Sequence, residues 1–238
     1  MTSASSLRTA RIEEVAEPLS AAALSRSRML PVVDALVSLV PDGGLVRGKA
    51  VACGGVAAMS LAVSLAVAAT ASGSWLAVVG VPTFGLEAAE EFGIPLERVV
   101  SVDPGEQRVT GASWAELVAA TFDGFEVVIT KVPPRLNAAL ARRVQARMRD
   151  REAVLITLGS SGPFSVEVEL DASDPRWEGI AAGSGYLRGR RVDITSSGRR
   201  VQRPRRVSLW LPGCDGSVAV AEVAEVAEVV PLAHQHSG

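Results

Sequence analysis

The residues Cys53-Gly54-Gly55-Val56-Ala57-Ala58-Met59-Ser60 fall where an apolar strand runs into an apolar helix, the place where a glycine-rich loop cradles phosphates. In the working pattern G-x-x-x-x-G-K-[ST], backbone amides surround the phosphates, the lysine neutralises their outer charge and the hydroxyl holds magnesium. On that pattern Cys53 replaces the first glycine, Ala58 the second and Met59 the lysine, and only the Ser60 hydroxyl is kept. Methionine matches lysine in length but brings no charge, so the clamp on a triphosphate is missing. Two readings follow. Gly54 and Gly55 form a tight strand-to-helix turn and nothing more, or the remaining amides, with Ser60 and the helix N-terminus, still hold an anion weakly. The first is the expectation, and with it no cofactor; weak nucleotide binding is its alternative.

A second group of chemistry-bearing residues is cationic. Arg188, Arg190, Arg191, Arg199, Arg200, Arg203, Arg205 and Arg206 are opposed only by Asp193 within that stretch. Such density makes a steep local field of the kind that phosphate contacts need, and an acidic protein surface would serve equally well. A solvated hairpin is the third reading. Trp177, Tyr186 and Trp210 are expected in core or edge packing rather than as stacking platforms, because they interleave poorly with the arginines.

Other chemistries are excluded by composition. The two histidines, His234 and His236, stand near the end of the sequence, so neither a Ser-His nucleophile nor a histidine metal cluster is available. Cys53 and Cys214 are too few and too far apart for a disulfide scaffold or a zinc site, and no metal is expected. No catalytic residue is assigned. The chain has 238 residues, 48% hydrophobic, with net charge −2, enough for one large α/β domain with short tails. The polar start lacks the apolar core of a signal peptide, so a reducing cytoplasm is the default. Between Ala50 and Leu86 no residue is charged, which raises the question of a membrane span. Gly54-Gly55, Ser72-Gly73-Ser74, Gly80 and Pro82 cut that stretch into a strand, a short helix and a strand, the reading of a buried parallel βαβ unit with no membrane role.

The elements that must position these groups alternate. Strands are expected at Leu45 to Ala52, Trp75 to Val81, Arg98 to Val102, Phe125 to Thr130 and Ala153 to Leu158. Helices are expected at residues 11 to 38, Ala58 to Ala71, Leu86 to Phe92, Ser113 to Phe122 (Ser113 as cap, Glu116 completing a capping box) and Leu136 to Arg149. Strand–helix alternation predicts a mostly parallel, right-handed sheet flanked by helices. After Gly159 the pattern turns to period two. Leu187 to Thr195 and Arg203 to Leu211, around Ser196-Ser197-Gly198, read as a C-terminal antiparallel hairpin. The organisation is then a partly helical segment over 1–27, a domain over 28–212 and an acidic Ala-Glu-Val tail over 213–238, read as helix, strand or flexible arm.

In this order the elements resemble the RecA-like recombinase and ATPase family. Val33-Asp34-Ala35-Leu36 through Gly43-Gly44-Leu45-Val46-Arg47-Gly48 is similar to that family's lead-in to the phosphate loop. Phe92-Gly93-Ile94-Pro95-Leu96-Glu97-Arg98-Val99-Val100-Ser101-Val102-Asp103-Pro104 resembles its stretch between the second and third strands. The likeness spans residues 28 to 212. Carried over, the phosphate-loop lysine falls on Met59, the magnesium-binding aspartate on Thr130 and the glutamate that activates water near Val81. Phosphoryl transfer runs on positioning and charge stabilisation, so losing all three implies no catalysis.

Within that superfamily the chain resembles ImuA-type proteins, the ImuA-prime branch above all, through Leu187-Arg188-Gly189-Arg190-Arg191-Val192-Asp193-Ile194 and Arg205-Arg206-Val207-Ser208-Leu209-Trp210-Leu211-Pro212. That resemblance implies a non-catalytic accessory subunit of a translesion-synthesis mutasome. The implied partners are an ImuB-like inactive Y-family polymerase homologue, an error-prone replicative-type polymerase and RecA itself, with DNA as a further ligand. The alternatives are a weak DNA-dependent ATPase of the RecA type and a SulA-like cell-division inhibitor. Oligomeric state is not readable from the sequence.

Overall fold

The computed structural model describes residues 28–105, 110–181, 184–199, 201 and 203–221. Its frame is a nine-stranded sheet built on six parallel strands. These are β3 (Ala50–Gly55), β4 (Leu76–Val79), β5 (Val99–Val102), β6 (Val127–Thr130), β7 (Val154–Leu158) and β8 (Val166–Ala181). From β3 the chain steps three places to β4 and on to the edge strand β5. It then returns through β6 and β7, and β8 pairs on the other side of β3. Three antiparallel strands, β9 (Ser184–Ser197), β10 (Arg205–Trp210) and β11 (Ala219–Val220), finish the sheet. A separate two-stranded ladder joins β1 (Met29–Pro31) to β2 (Gly44–Val46).

Alternation along the parallel strands builds two cores. Val51, Cys53, Leu76, Val78, Val127, Ile129, Val154 and Ile156 face one side with helix α1 (Ala58–Ala71); Ala50, Ala77, Val79, Val128 and Leu155 face the other, against α3 (Gly111–Thr121) and α4 (Ala138–Asp150). Both faces are covered, which is why these strands read as unbroken apolar runs. Helix α1 touches β3, β7 and β8 and also β1, so its apolar residues have partners on more than one side. Its fourteen residues rise roughly 21 Å, and no helix among the described residues is long and apolar enough to cross a membrane. The uncharged run from Ala50 to Leu86 is thus strand, helix and strand, followed by the start of the six-residue helix α2 (Leu86–Glu91).

Several boundaries differ from the sequence reading. The helix expected across residues 28–38 is instead β1 followed by a tight 3-10 turn over Asp34–Leu39; Pro31 has no amide to give a helix, while Met29 and Leu30 find ladder partners in Val46 and Leu45. Residues 11–27 lie outside the described residues. The cap of α3 is Thr110 rather than Ser113: Thr110 Oγ1 accepts from the Ser113 amide at 3.1 Å and Ser113 Oγ accepts from the Thr110 amide at 3.0 Å. A serine at the third position thus does what Glu116 was expected to do. The strand expected from Leu45 to Ala52 is split into β2 and β3 by a turn at Gly48, whose φ is +73°. The antiparallel hairpin of β9 and β10 is present with Thr195 opposite Arg206, and β8 runs on to Ala181, making a second and longer hairpin with β9.

Candidate functional site

Gly54 and Gly55 end β3 as paired strand residues, opposite Asp171 and Ala172 of β8. A Cβ on Gly55 would stand 1.9 Å from the Ala172 carbonyl oxygen, and one on Gly54 2.7 Å from Asp171 Oδ2. The next amide, Val56 N–H, donates to that same Ala172 oxygen at 2.9 Å. The double glycine therefore serves the close approach of two strands. At least one amide that a phosphate cradle would aim at its ligand is engaged in the protein.

Helix α1 begins behind this turn with Ala57 as its cap and no side-chain cap bond. Met59 packs against the core, and Ser60 faces an unexpected partner. Arg190, from β9, donates from Nη2 to Ser60 Oγ at 2.7 Å and from Nε to the Leu211 carbonyl at 2.8 Å. The guanidinium carbon lies 5.2 Å from the centre of the Trp177 ring. Burial pulls the Arg190 pKa down, because half-burial costs the charged form hydration. Among the described residues no carboxylate pairs with it. The hydroxyl that would hold magnesium in a working loop thus holds a guanidinium, supplied from 130 positions along the chain.

The other two carried-over positions are uncharged and buried. Thr130 closes β6 at 0% exposure; its Oγ1 donates to the Val79 carbonyl at 2.9 Å and accepts from Trp114 Nε1 at 3.2 Å. The end of β6 is sealed under an indole. Val81, just past β4, is 8% exposed and belongs to the first core. Cys53 is fully buried and its thiol is pushed far up by that burial, so it is no nucleophile, and Cys214 is a free, exposed thiol.

The described arginines do not form one patch. Arg188 is exposed on the outer part of β9, beside Arg190. Arg206 is paired with Asp193 at 2.7 Å, and Arg191 donates to Ser208 Oγ at 3.3 Å. The Ser208 hydroxyl in turn donates to Asp193, whose carboxyl is held below its usual range by that bond first and by Arg206 next. Arg199, Arg203 and Arg205 line an open cavity of about 750 Å³ with Ser38 to Asp42, Ser196 and Val201, and Arg205 donates to the Ser38 carbonyl at 2.7 Å. Arg200 lies outside the described residues. At about 3.3 Å per residue, Arg188 and Ser196 of that cavity are roughly 25 Å apart along β9.

Two aromatic assignments are corrected. Trp177 is 51% exposed and Tyr186 84%, so neither is a packing residue, whereas Trp210 is half-buried near the sheet edge as expected. β8 continues through Asp174-Pro175 and Gly179. Asp174 does take a positive φ of 54°, but a register shift between Ser173 and Arg176 absorbs it, and the strand goes on. With β8 extended, Trp177 faces Arg190 across the hairpin. That pairing is a signal the linear sequence carried only for a reader who had already joined the strands.

Residues 38–163, from the 3-10 turn through β7, match the family model described as the MT3502 N-terminal domain. The chain is also 33% identical over 150 residues to an uncharacterized protein of Mycobacterium tuberculosis, Rv3395c, an overlap of 60% of this chain and 71% of that protein. The segment matched by the family model contains Gly54-Gly55, Ser60, Val81 and Thr130, and stops before β8. On these grounds the chain belongs to the MT3502 N-terminal domain family.

Proposed function

We propose that the chain is a RecA-like domain that no longer does nucleotide chemistry and acts as a non-catalytic accessory subunit in DNA-damage-induced mutagenesis. The observation that carries the first part is Arg190 on Ser60. A protein cation sits on the hydroxyl where magnesium and phosphate would meet, beside the positive end of α1. Thr130 beneath Trp114 and the engaged Val56 amide support the same reading. A scaffold whose cores are intact but whose catalytic positions carry no charge offers its surface. The accessory role comes from the ImuA-type motifs, and the implied partner is an ImuB-like inactive polymerase homologue. The edge strand β5 and the strands from Leu187 onward are the surfaces such a partner would meet.

Isothermal titration with Mg-ATP and a phosphate-release assay test the chemistry. No micromolar affinity and no turnover are expected, with or without DNA, and Met59→Lys alone restores neither because Thr130 stays buried and uncharged. Turnover by the natural chain refutes the reading. For the role, the intact chain is expected to capture an ImuB-like protein from DNA-damaged cells; an intact chain that captures none overturns it.

A further inference from the structure

Among the described residues, the two long strands beyond Arg190 pair only with each other, through Glu178 opposite Gly189, Ile180 opposite Gly185 and Ala181 opposite Ser184. This ribbon stands out past the carboxyl end of β3, whose pairing with β8 stops at Ala172. Trp177, Tyr186 and Leu187 are exposed on it at 51%, 84% and 54%, and Tyr186 is the only tyrosine of the chain. Trp177 and Arg190 are direct partners, with the guanidinium lying against the indole, and beyond them three residues of β9, Tyr186, Leu187 and Arg188, stand opposite the single residue Gly179. One side of the indole is taken by the guanidinium, and half of the side chain remains open to solvent.

We propose that this ribbon is a platform for single-stranded nucleic acid, with bases stacking on Trp177 and Tyr186 and a phosphate meeting Arg188. An exposed ring costs hydration unless something covers it, and a base covers it whatever its sequence. A guanidinium already stacked on Trp177 extends the platform and brings charge to it. Strand addition by a protein partner is disfavoured at this ribbon. Pro175 lacks an amide, and the shifts at Ser173/Arg176 and Glu178/Ile180 break the edge that an added strand would need. Duplex is a poor fit because its bases are already stacked. The inference does not depend on the accessory-subunit reading and survives its failure.

The test uses the full-length chain at low salt with a labelled oligothymidine of about 12 nucleotides, within the usual span of such sites. A duplex of the same length and vesicles of phosphatidylglycerol and phosphatidylcholine run beside it. The single strand is expected to bind more tightly than the duplex. Trp177→Ala and Tyr186→Ala should each weaken it roughly five- to hundredfold, with Tyr186→Phe close to the natural chain. Arg188→Gln should lower the slope of log affinity against log salt by about 0.7. These side chains are exposed, so unchanged circular dichroism is expected throughout. No single-strand binding, equal binding of duplex, or aromatic variants as tight as the natural chain overturns the proposal. So does vesicle binding that the aromatic substitutions abolish while single-strand affinity stays unchanged.

Discussion

Gly55→Ala separates a glycine kept for sheet geometry from one kept for phosphate. Gly55 has φ +78°, so any L side chain there costs roughly 1–2 kcal/mol in backbone strain. The new Cβ would stand 1.9 Å from the Ala172 oxygen, about 1.5 Å inside the 3.4 Å where ordinary contact begins. The obstacle is backbone, not a side chain that could swing away, so β8 must retreat. A retreat of that size breaks the 2.9 Å bond from Val56 N–H to Ala172, costing about 1 kcal/mol, and more if either group stays dry. The total comes to about 2–3 kcal/mol, and up to about 5 if either group stays dry. Gly159 supplies the control, for it has the same φ of +78° and nothing within 4 Å of its added Cβ. Gly159→Ala isolates the strain and should cost about 1–2 kcal/mol. Urea denaturation of both variants reads the difference, and a Tm loss of roughly 10 °C is expected for Gly55→Ala. Should the two variants agree within 1 kcal/mol, the close pairing of Gly55 with β8 is wrong, and the glycine regains its reading as a ligand-approach residue.

Thr130→Asp, which restores the carboxylate of the RecA-like pattern, should destabilise by about 3 kcal/mol or more, because the new charge lies buried under Trp114 with no cation; a urea midpoint close to the natural one contradicts that burial. Asp193 is held below its usual carboxylate range, so its contribution is present above the unfolded value of about 3.9 and is lost as pH falls through the lower folded value. Asp193→Asn should therefore flatten part of the loss of stability below about pH 4, measured by thermal melts across pH. Leu61→Ala, at 0% exposure between α1 and the sheet, should cost about 2–5 kcal/mol by denaturant titration; a loss below 1 kcal/mol would mean α1 does not pack there.

The sequence by itself determined what depends on near neighbours. Apolar runs such as Val127–Thr130 and Val154–Leu158 declared buried strands, and Leu140, Val144 and Met148 set against arginines declared α4. The loss of lysine at Met59 was likewise legible from one strand–turn–helix unit. Local reading failed where a partner far along the chain outweighed local preference. Met29–Pro31 became a strand because Gly44–Val46 lay beside it, and β8 ran through Pro175 because β9 held both of its flanks. Tertiary structure alone decided the site. Arg190 stands 130 positions from Ser60, and only the return of the hairpin alongside β3 puts a guanidinium on that hydroxyl. It also divided the described arginines: Arg188, Arg190 and Arg191 lie on β9, Arg205 and Arg206 on β10, and the cavity that Arg199, Arg203 and Arg205 line is roughly 25 Å from Arg188 along β9. Charge density along a chain is one-dimensional, whereas a field at a surface depends on which side chains the pleat turns the same way.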